Sequence, residues 1–156
     1  MADVKKGIIL KGIGGLYFVE TTDAVFECKA RGIFRKSGQK PLVGDEVDIL
    51  IGEDGANNTI EKIYPRRSEL IRPPVANLDR LFILSSVRDP NPSTLIIDKM
   101  TAIACWKNIE PVIVITKDDL GDTSELRGIY EKAGIPFFSV SSRDGRGADE
   151  VKAMLS

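Results

Sequence analysis

The segment VIVITKDDL, residues 112–120, is an apolar run that ends abruptly in a polar turn. Val112–Ile115 consists entirely of β-branched residues, a composition typical of a strand buried on both faces of a parallel sheet. Thr116-Lys117-Asp118-Asp119 follows at the carboxyl end of this strand, where open α/β sheets bind their ligands. The segment therefore predicts an α/β domain with a ligand-binding loop directly after this strand.

The chain from residue 78 onwards alternates between strand and helix patterns, which predicts a parallel sheet covered by helices. Three strands are few for such a sheet, so the domain looks incomplete. The first helix is predicted to begin at Asn91-Pro92, and Gly134 ends the second. The predicted strands are 81–87, 112–115 and 135–140, and a third helix is predicted at 148–155. The first helix has an apolar face formed by Ile96, Met100, Ile103 and Ala104. The second has an apolar face formed by Leu126, Ile129, Tyr130 and Ala133.

The first 64 residues have the pattern of a small all-β domain. Short runs rich in Val, Ile, Phe and Tyr are separated by turn signals such as Gly14-Gly15 and Gly44-Asp45. Five short strands in this length favour a five-stranded OB-fold barrel. The predicted strands are Lys6–Leu10, Leu16–Thr21, Val25–Ala30, Glu46–Ile51 and Thr59–Ile63.

The segment PRRSELIRPPVAN, residues 65–77, separates the two patterns. Its three prolines disfavour a regular element and stiffen a linker. We therefore predict an OB-fold domain at 1–66, a proline-rich linker at 67–77 and an α/β domain at 78–156.

Composition excludes several classes of protein. The 156 residues include no histidine, which removes Ser-His-Asp and Cys-His catalysis and every histidine-containing metal site. The two cysteines form no CxxC, and we expect reduced thiols in a cytoplasmic protein. No apolar run is long enough to span a membrane, and the first residues do not resemble a signal peptide.

The turn after residue 115 has the residues needed to recognise guanine. Guanine presents two N–H donors on one edge, and the Asp119 carboxylate can accept both, whereas adenine has no matching pair. The stem of Lys117 would cover the base and the Thr116 hydroxyl would hold the loop. Ser141-Ser142-Arg143 follows the next predicted strand, and a backbone N–H near Ser142 would donate to guanine O6. Adjacent parallel strands would bring both loops to one edge of the sheet.

Each of these features also has an ordinary structural reading. The residues KDDL after a strand can be a solvated turn, and Ser141 and Ser142 can be a helix entry. A phosphate loop of the form GxxxxGK[ST] requires a Gly-Lys pair, which the sequence lacks. The glycines of KGIGGLY, residues 11–17, fail GxGxxG and precede a strand rather than a helix.

A basic run in the predicted barrel suggests contact with nucleic acid. Residues 29–40 contain five basic residues and no acid, with Phe34 among them. OB-folds bind nucleic acid through a basic groove and stacking aromatics, although a solvated loop with Phe34 in the core is equally compatible. The candidate RNA-binding residues are Lys29, Arg31, Phe34, Arg35, Lys36, Lys40, Arg66 and Arg67.

A base-reading signature after a β-barrel, with no phosphate loop before it, resembles the circularly permuted, ribosome small-subunit-dependent GTPases of bacteria, the RsgA or YjeQ family. The resemblance covers nearly the whole chain in the right order, and RPPVANLD is especially specific. The matching stretches are GIILKGIGGLYFVE (7–20), ECKARGIFRK (27–36), PLVGDEV (41–47), IRPPVANLDRLFIL (71–84), PVIVITKDDL (111–120) and FFSVSSRDGRG (137–147).

The resemblance implies an OB-fold domain that contacts 16S rRNA of the 30S subunit, followed by the first part of a permuted GTPase domain. Thr116, Lys117 and Asp119 match the guanine motif, with Thr where Asn is commoner, and Ser141–Arg143 match the second base-contacting loop. Asp118, inside the motif, is also counted among the expected guanine-binding residues. GTP with Mg²⁺ would be bound by the intact protein, and Zn²⁺ only by a later domain.

We accordingly expect an N-terminal portion of a longer, monomeric ribosome-assembly GTPase. We expect no catalytic residue or metal ligand in this chain, and no GTP hydrolysis by the chain alone. The rival hypotheses are a non-enzymatic OB-fold RNA-binding module and an α/β nucleotide-binding protein of different specificity.

Overall fold

A computed structural model describes residues 3–36, 38–52 and 57–155, without the side chains of Arg35 and Lys36. The chain divides into two compact units, residues 1–78 and 79–156, and each is considered by itself. Within the described residues, no helix combines the length and apolar character needed to cross a membrane.

The first unit is a closed five-stranded barrel with the order β1-β2-β3-β5-β4, which confirms the predicted fold. Neighbouring strands are antiparallel except β3 and β5, whose parallel pairing closes the barrel. A short helix, α1 (Gly32–Lys36), follows β3. The strands are β1 (Val4–Ile13), β2 (Leu16–Glu20), β3 (Val25–Ala30), β4 (Glu46–Leu50) and β5 (Asn58–Ile63).

Alternation along the strands fills the barrel interior. In β4, Val47 and Ile49 are fully buried while the residues beside them are half-buried. This is the two-residue period expected of a strand with one face in a core. Phe34 of α1 is also buried in this core, at 8% exposure, so its ring is not available for stacking on a base.

The segment 65–77 differs from the irregular linker predicted for it. It contains two short antiparallel strands, β6 (Glu69–Leu70) and β7 (Val75–Ala76), and lies within the first unit. Pro73 and Pro74 occupy the turn between these strands, where the missing N–H donors cost no ladder hydrogen bond. The backbone N–H of Ala76 donates to the Val43 carbonyl at 2.9 Å, which joins β7 to the barrel.

A buried ion pair fixes the same segment. The Asp45 side chain is fully buried and accepts two hydrogen bonds from the Arg66 guanidinium, at 2.7 and 2.8 Å. Arg66 also donates to the Lys40 carbonyl and to Glu69, each at 2.8 Å. The hydrogen bonds that Arg66 donates to Asp45 raise the pKa of Arg66 despite partial burial. Arg66, predicted to bind RNA, is therefore committed to the fold.

The second unit is a three-stranded parallel sheet with the order β10-β9-β8, as predicted from the alternating pattern. A single 3₁₀ turn (Asp118–Leu120) follows β9. The elements are β8 (Arg80–Ser86), α2 (Thr94–Trp106), β9 (Glu110–Thr116), α3 (Ser124–Lys132), β10 (Phe137–Val140) and α4 (Ala148–Ala153).

Two details of the helices were predicted wrongly. Helix α2 begins at Thr94 rather than Asn91-Pro92, because a residue before proline disfavours the helical region and prolines stand at 90 and 92. The helix buries Ile97, Thr101 and Ala104, while the predicted Ile96 and Ile103 are exposed. Ile129 of α3 is likewise exposed. Adjacent apolar residues such as Ile96 and Ile97 leave the rotation of a helix undetermined by pattern alone.

We predict that Arg66→Ala destabilises the barrel by about 3–5 kcal/mol, because it leaves the buried Asp45 carboxylate without its counter-charge. Urea unfolding followed through amide NMR signals of the first unit measures the effect. The exposed Lys29 provides the control, since Lys29→Gln removes the same charge from the barrel surface. Equal losses in the two variants would contradict the structural role of Arg66.

Candidate functional site

The parallel register of two strands places the two candidate loops together. Thr116, the last residue of β9, pairs with Val140, the last residue of β10. The segments that follow them therefore leave the same edge of the sheet, as the sequence predicted. In open α/β sheets this carboxyl edge is where ligands bind.

A direct hydrogen bond joins the two loops. The Ser141 hydroxyl donates to Oδ1 of Asp119 at 2.9 Å. Ser141 is almost completely buried, at 2% exposure, and its hydroxyl accepts a hydrogen bond from the Arg143 backbone N–H at 3.3 Å. The hydrogen bond from Ser141 orients the Asp119 carboxylate. Asp119 is also exposed, so this carboxylate is accessible from solvent. Ser142 and Arg143 are exposed beside it.

Lys117 and Thr116 tie the first loop to the end of β8. The Thr116 hydroxyl donates to the Ser85 carbonyl at 3.2 Å. Lys117 has a left-handed backbone conformation with φ 60°, which is uncommon for a residue with a side chain. Its ammonium group donates to the carbonyls of Arg88, at 3.1 Å, and Asp89. The lysine side chain thus spans from the turn after β9 to the segment after β8.

Asp118 has surroundings different from those of Asp119, although both were predicted to bind guanine. Its carboxylate accepts hydrogen bonds from the Thr123 hydroxyl at 3.4 Å and from Arg146 at 3.0 Å. Only 16% of its side chain is exposed. The structure therefore places Asp118 in contacts within the unit, whereas Asp119 lies at the surface.

The second loop turns sharply before α4. The Ser141 N–H donates to the Arg146 carbonyl, and the Gly145 N–H donates to the Ser141 carbonyl, both at 3.0 Å. Gly147 has φ 73°, and a Cβ placed on it would lie 2.2 Å from the Ser139 carbonyl oxygen. Only glycine fits this position, because it combines positive φ with a close backbone approach.

The sequence-based prediction missed Arg146 and Thr123. Arg146 pairs with Asp118 and with Asp144, each at 3.0 Å. The hydrogen bond to Asp118 raises the pKa of Arg146, while the Arg146 backbone N–H lowers the pKa of Asp144. The charge sequence RDGR gives no indication of which arginine would pair with Asp118, so only the folded loop identifies Arg146.

The basic residues of the barrel fall into distinct groups. Lys29, Arg31, Lys40 and Arg67 are exposed, and Arg31 pairs with Glu61. The side chains of Arg35 and Lys36 lie outside the described part of the chain. A cavity of about 490 Å³ opens beside Lys40 and is lined also by Gly14, Gly15, Tyr17, Ala30, Phe34, Gly38 and Pro41.

The described residues offer no cluster of three or more Cys, Asp or Glu side chains arranged to hold a metal ion.

The chain is thus a closed barrel followed by a parallel α/β unit that carries two polar loops at one edge of its sheet. Two family profiles match the chain: RsgA N-terminal domain over residues 6–57 and RsgA GTPase over residues 63–156. The chain belongs to the RsgA family.

Relatives support this assignment over the whole chain. Small ribosomal subunit biogenesis GTPase RsgA of Alkaliphilus metalliredigens is 43% identical, with 97% of this chain and 53% of the relative covered. The protein of the same name from Ruminiclostridium cellulolyticum is 42% identical, with 96% and 50% covered. The chain thus spans about half the length of the curated relatives it matches.

Solved structures agree with the fold. YjeQ from Thermotoga maritima superimposes with a TM-score of 0.83 at 32% identity, over 99% of this chain and 58% of that protein. YloQ, described as a circularly permuted GTPase, gives a TM-score of 0.78 at 32% identity, over 90% of this chain and 53% of that protein. The predicted order of a barrel before a permuted GTPase domain is confirmed.

We predict that Gly147→Ala destabilises the second unit more than Gly145→Ala. Both residues have positive φ, so each alanine costs about 1–2 kcal/mol of backbone strain. Only at Gly147 would the new Cβ also meet the Ser139 carbonyl, whereas at Gly145 nothing lies within 4 Å. Urea unfolding followed through amide signals of the second unit makes the comparison, and equal losses would contradict the close approach.

Proposed function

We propose that the two loops recognise the guanine base of a nucleotide, with Asp119 as the group that discriminates the base. The observation that carries the proposal is the hydrogen bond between Ser141 and Asp119, which orients an exposed carboxylate at the carboxyl edge of the sheet. A carboxylate held in place accepts the N1–H and exocyclic amine of guanine together. Adenine offers N1 as an acceptor, so its edge would face the carboxylate with a repulsive contact.

The remaining residues of the site have supporting roles in this proposal. Thr116 anchors the turn through Ser85, and the Lys117 stem lies against one face of the base. A backbone N–H at Ser142 or Arg143 donates to O6. A site built on such paired hydrogen bonds rejects the wrong base by roughly 10⁴-fold, since its polar groups would otherwise remain unpaired. Asp118 is assigned to the support of the loop rather than to the base.

For the whole protein we propose the activity that its relatives' names state: a GTPase in small ribosomal subunit biogenesis. It would bind GTP with Mg²⁺ in the cytoplasm, act as a monomer late in 30S maturation, and hydrolyse GTP to leave the subunit. Phosphoryl transfer depends on a phosphate loop and charge stabilisation. This sequence contains no Gly-Lys pair, so we assign it base recognition and no catalytic residue. We assign Zn²⁺ to a later domain.

We predict that this chain binds guanosine monophosphate in preference to adenosine monophosphate. Asp119→Asn should weaken guanine binding and improve binding of xanthosine monophosphate. The asparagine amide offers one acceptor for N1–H and one donor for the xanthine C2 carbonyl, whereas Asp119 offers acceptors only. Titration of the labelled chain at millimolar nucleotide, followed by amide NMR shifts at residues 116–119 and 141–143, measures all three affinities.

The neighbouring exposed residue Leu120 supplies a control, because Leu120→Ala alters the same turn without removing a carboxylate. It should leave the base preference unchanged. An equal response to guanine and adenine in the wild-type chain would contradict base recognition, and an unchanged preference in Asp119→Asn would remove Asp119 from the discriminating role.

We propose further that the barrel contacts ribosomal RNA through Lys29, Arg31, Lys40 and Arg67. These side chains lie at the surface of the barrel, and the names of the relatives specify the small ribosomal subunit. Phe34 and Arg66 are left out of this surface because both are occupied within the fold. The alternative is a purely RNA-binding module. Such a protein would show no preference for guanine over adenine nucleotides, whereas the GTPase proposal requires one.

We predict that Lys29→Gln, Arg31→Gln and Lys40→Gln combined weaken binding to 30S subunits and flatten its salt dependence. Three lost phosphate contacts should reduce the slope of log K against log salt by about 2–3. Glutamine is chosen because a carboxylate at position 31 would face Glu61. Neutralising Lys99, Lys132 and Lys152 of the second unit is the matched control. Equal salt slopes in the two triple variants would argue against this RNA surface.

A further inference from the structure

A set of polar contacts lies behind the two loops and centres on Asp118. One carboxylate oxygen accepts from the Thr123 hydroxyl at 3.4 Å, and the other pairs with Arg146 at 3.0 Å. Thr123 is itself hydrogen-bonded to the Ser139 hydroxyl of β10 at 2.8 Å. The same Arg146 guanidinium pairs with Asp144 at 3.0 Å. Asp118 therefore connects the first loop to β10, through Thr123, and to the loop that carries Ser141.

Arg146 contacts both loops, through its backbone and through its side chain. Its backbone carbonyl accepts the Ser141 N–H at 3.0 Å, and its side chain reaches Asp118, the immediate neighbour of Asp119. The Ser141 hydroxyl in turn donates to Asp119. Asp118 and Asp119 of the first loop are thus hydrogen-bonded to Arg146 and Ser141 of the second. Because Ser141 and Arg146 are also bonded to each other, the contacts form a closed ring.

The burial of the three groups indicates which contact matters most. The Asp118 side chain is only 16% exposed, whereas Asp144 is 45% and Arg146 is 57% exposed. Exposed ion pairs contribute little because water screens them. The mostly buried Asp118 carboxylate is screened less, and losing Arg146 leaves it without a counter-charge, with only the hydrogen bond from Thr123. We therefore expect the Asp118–Arg146 contact to dominate over the Arg146–Asp144 contact.

We propose that Asp118 and Arg146 form a clamp that sets the distance between the two loops and so determines how well they discriminate guanine. Both are positioning residues, since they act through Asp119 and Ser141 rather than through contact with the base. The inference rests on the proposed function of the two loops. Its physical basis is that a displacement on the order of 1 Å in a hydrogen-bonding group is enough to lose most of its orientation advantage.

The test compares Asp118→Asn, Arg146→Gln, the double variant and Arg146→Lys in this chain. Each single uncharged variant should weaken guanosine monophosphate binding by roughly three- to ten-fold and reduce its preference over adenosine monophosphate. The double variant should lose no more than the weaker-binding single variant, because both remove one contact. Arg146→Lys retains the charge and should recover part of the preference. Lys99→Gln, which removes a charge from α2, is the control.

A measurement without nucleotide distinguishes the clamp from simple damage to the fold. Arg146→Gln should accelerate amide hydrogen exchange at Ser141 and Gly145, whose N–H groups close the second loop. Exchange in the centre of β9 should stay as in the wild-type chain.

The outcomes separate the two proposals. If the wild-type chain shows no guanine preference, base recognition fails whatever the variants do. If the wild-type chain prefers guanine but the variants keep that preference, or if the two substitutions weaken binding additively, the clamp is wrong and base recognition stands. Faster exchange throughout β9 would assign Arg146 to general stability and would also overturn the clamp.

Discussion

The parallel pairing of β9 with β10 is the constraint on which the candidate site depends. Because Thr116 lies opposite Val140, the chain leaves both strands at the same level of the sheet edge. A shift in this register would separate Asp119 from Ser141 and Asp118 from Arg146 together. The strands are held by buried β-branched side chains, with Val112, Ile113 and Ile115 fully enclosed, so the rigid core determines the geometry of the exposed loops.

In the barrel, too, a buried group determines what an apparent surface residue does. The position of Arg66 next to Arg67 in the sequence suggested a cationic surface. Its guanidinium instead pairs with the buried Asp45 and with Glu69 of the segment after β5. Basic residues in this unit thus divide into those that hold the fold and those that lie exposed at the surface. The division matters for RNA recognition, since only charges exposed to solvent can neutralise phosphate groups.

Much of the architecture was predictable because local patterns determine it. Alternation in β4 and the β-branched run in β9 identified the strands, and Gly134 marked the end of α3 with φ 75°. The rotation of α2 was not predictable, since Ile96 and Ile97 are both apolar and only contact with the sheet selects one of them. The pairing of β6 with β7 was also not predictable from the prolines. Prolines are excluded from the interior of a strand, but they are compatible with the turn between two short strands.

The sequence by itself determined the five barrel strands, the strand–helix alternation of the second unit and the position of the two polar loops after their strands, and it led to the prediction that Asp119 recognises guanine. Only the tertiary structure decided that the Asp118 side chain is mostly buried while Asp119 stays exposed. It also decided that Arg146, rather than Arg143, pairs with Asp118. The physical reason is separation along the chain. Asp118 and Arg146 are 28 residues apart, and Asp45 and Arg66 are 21 apart, so their contacts exist only after the strands have paired.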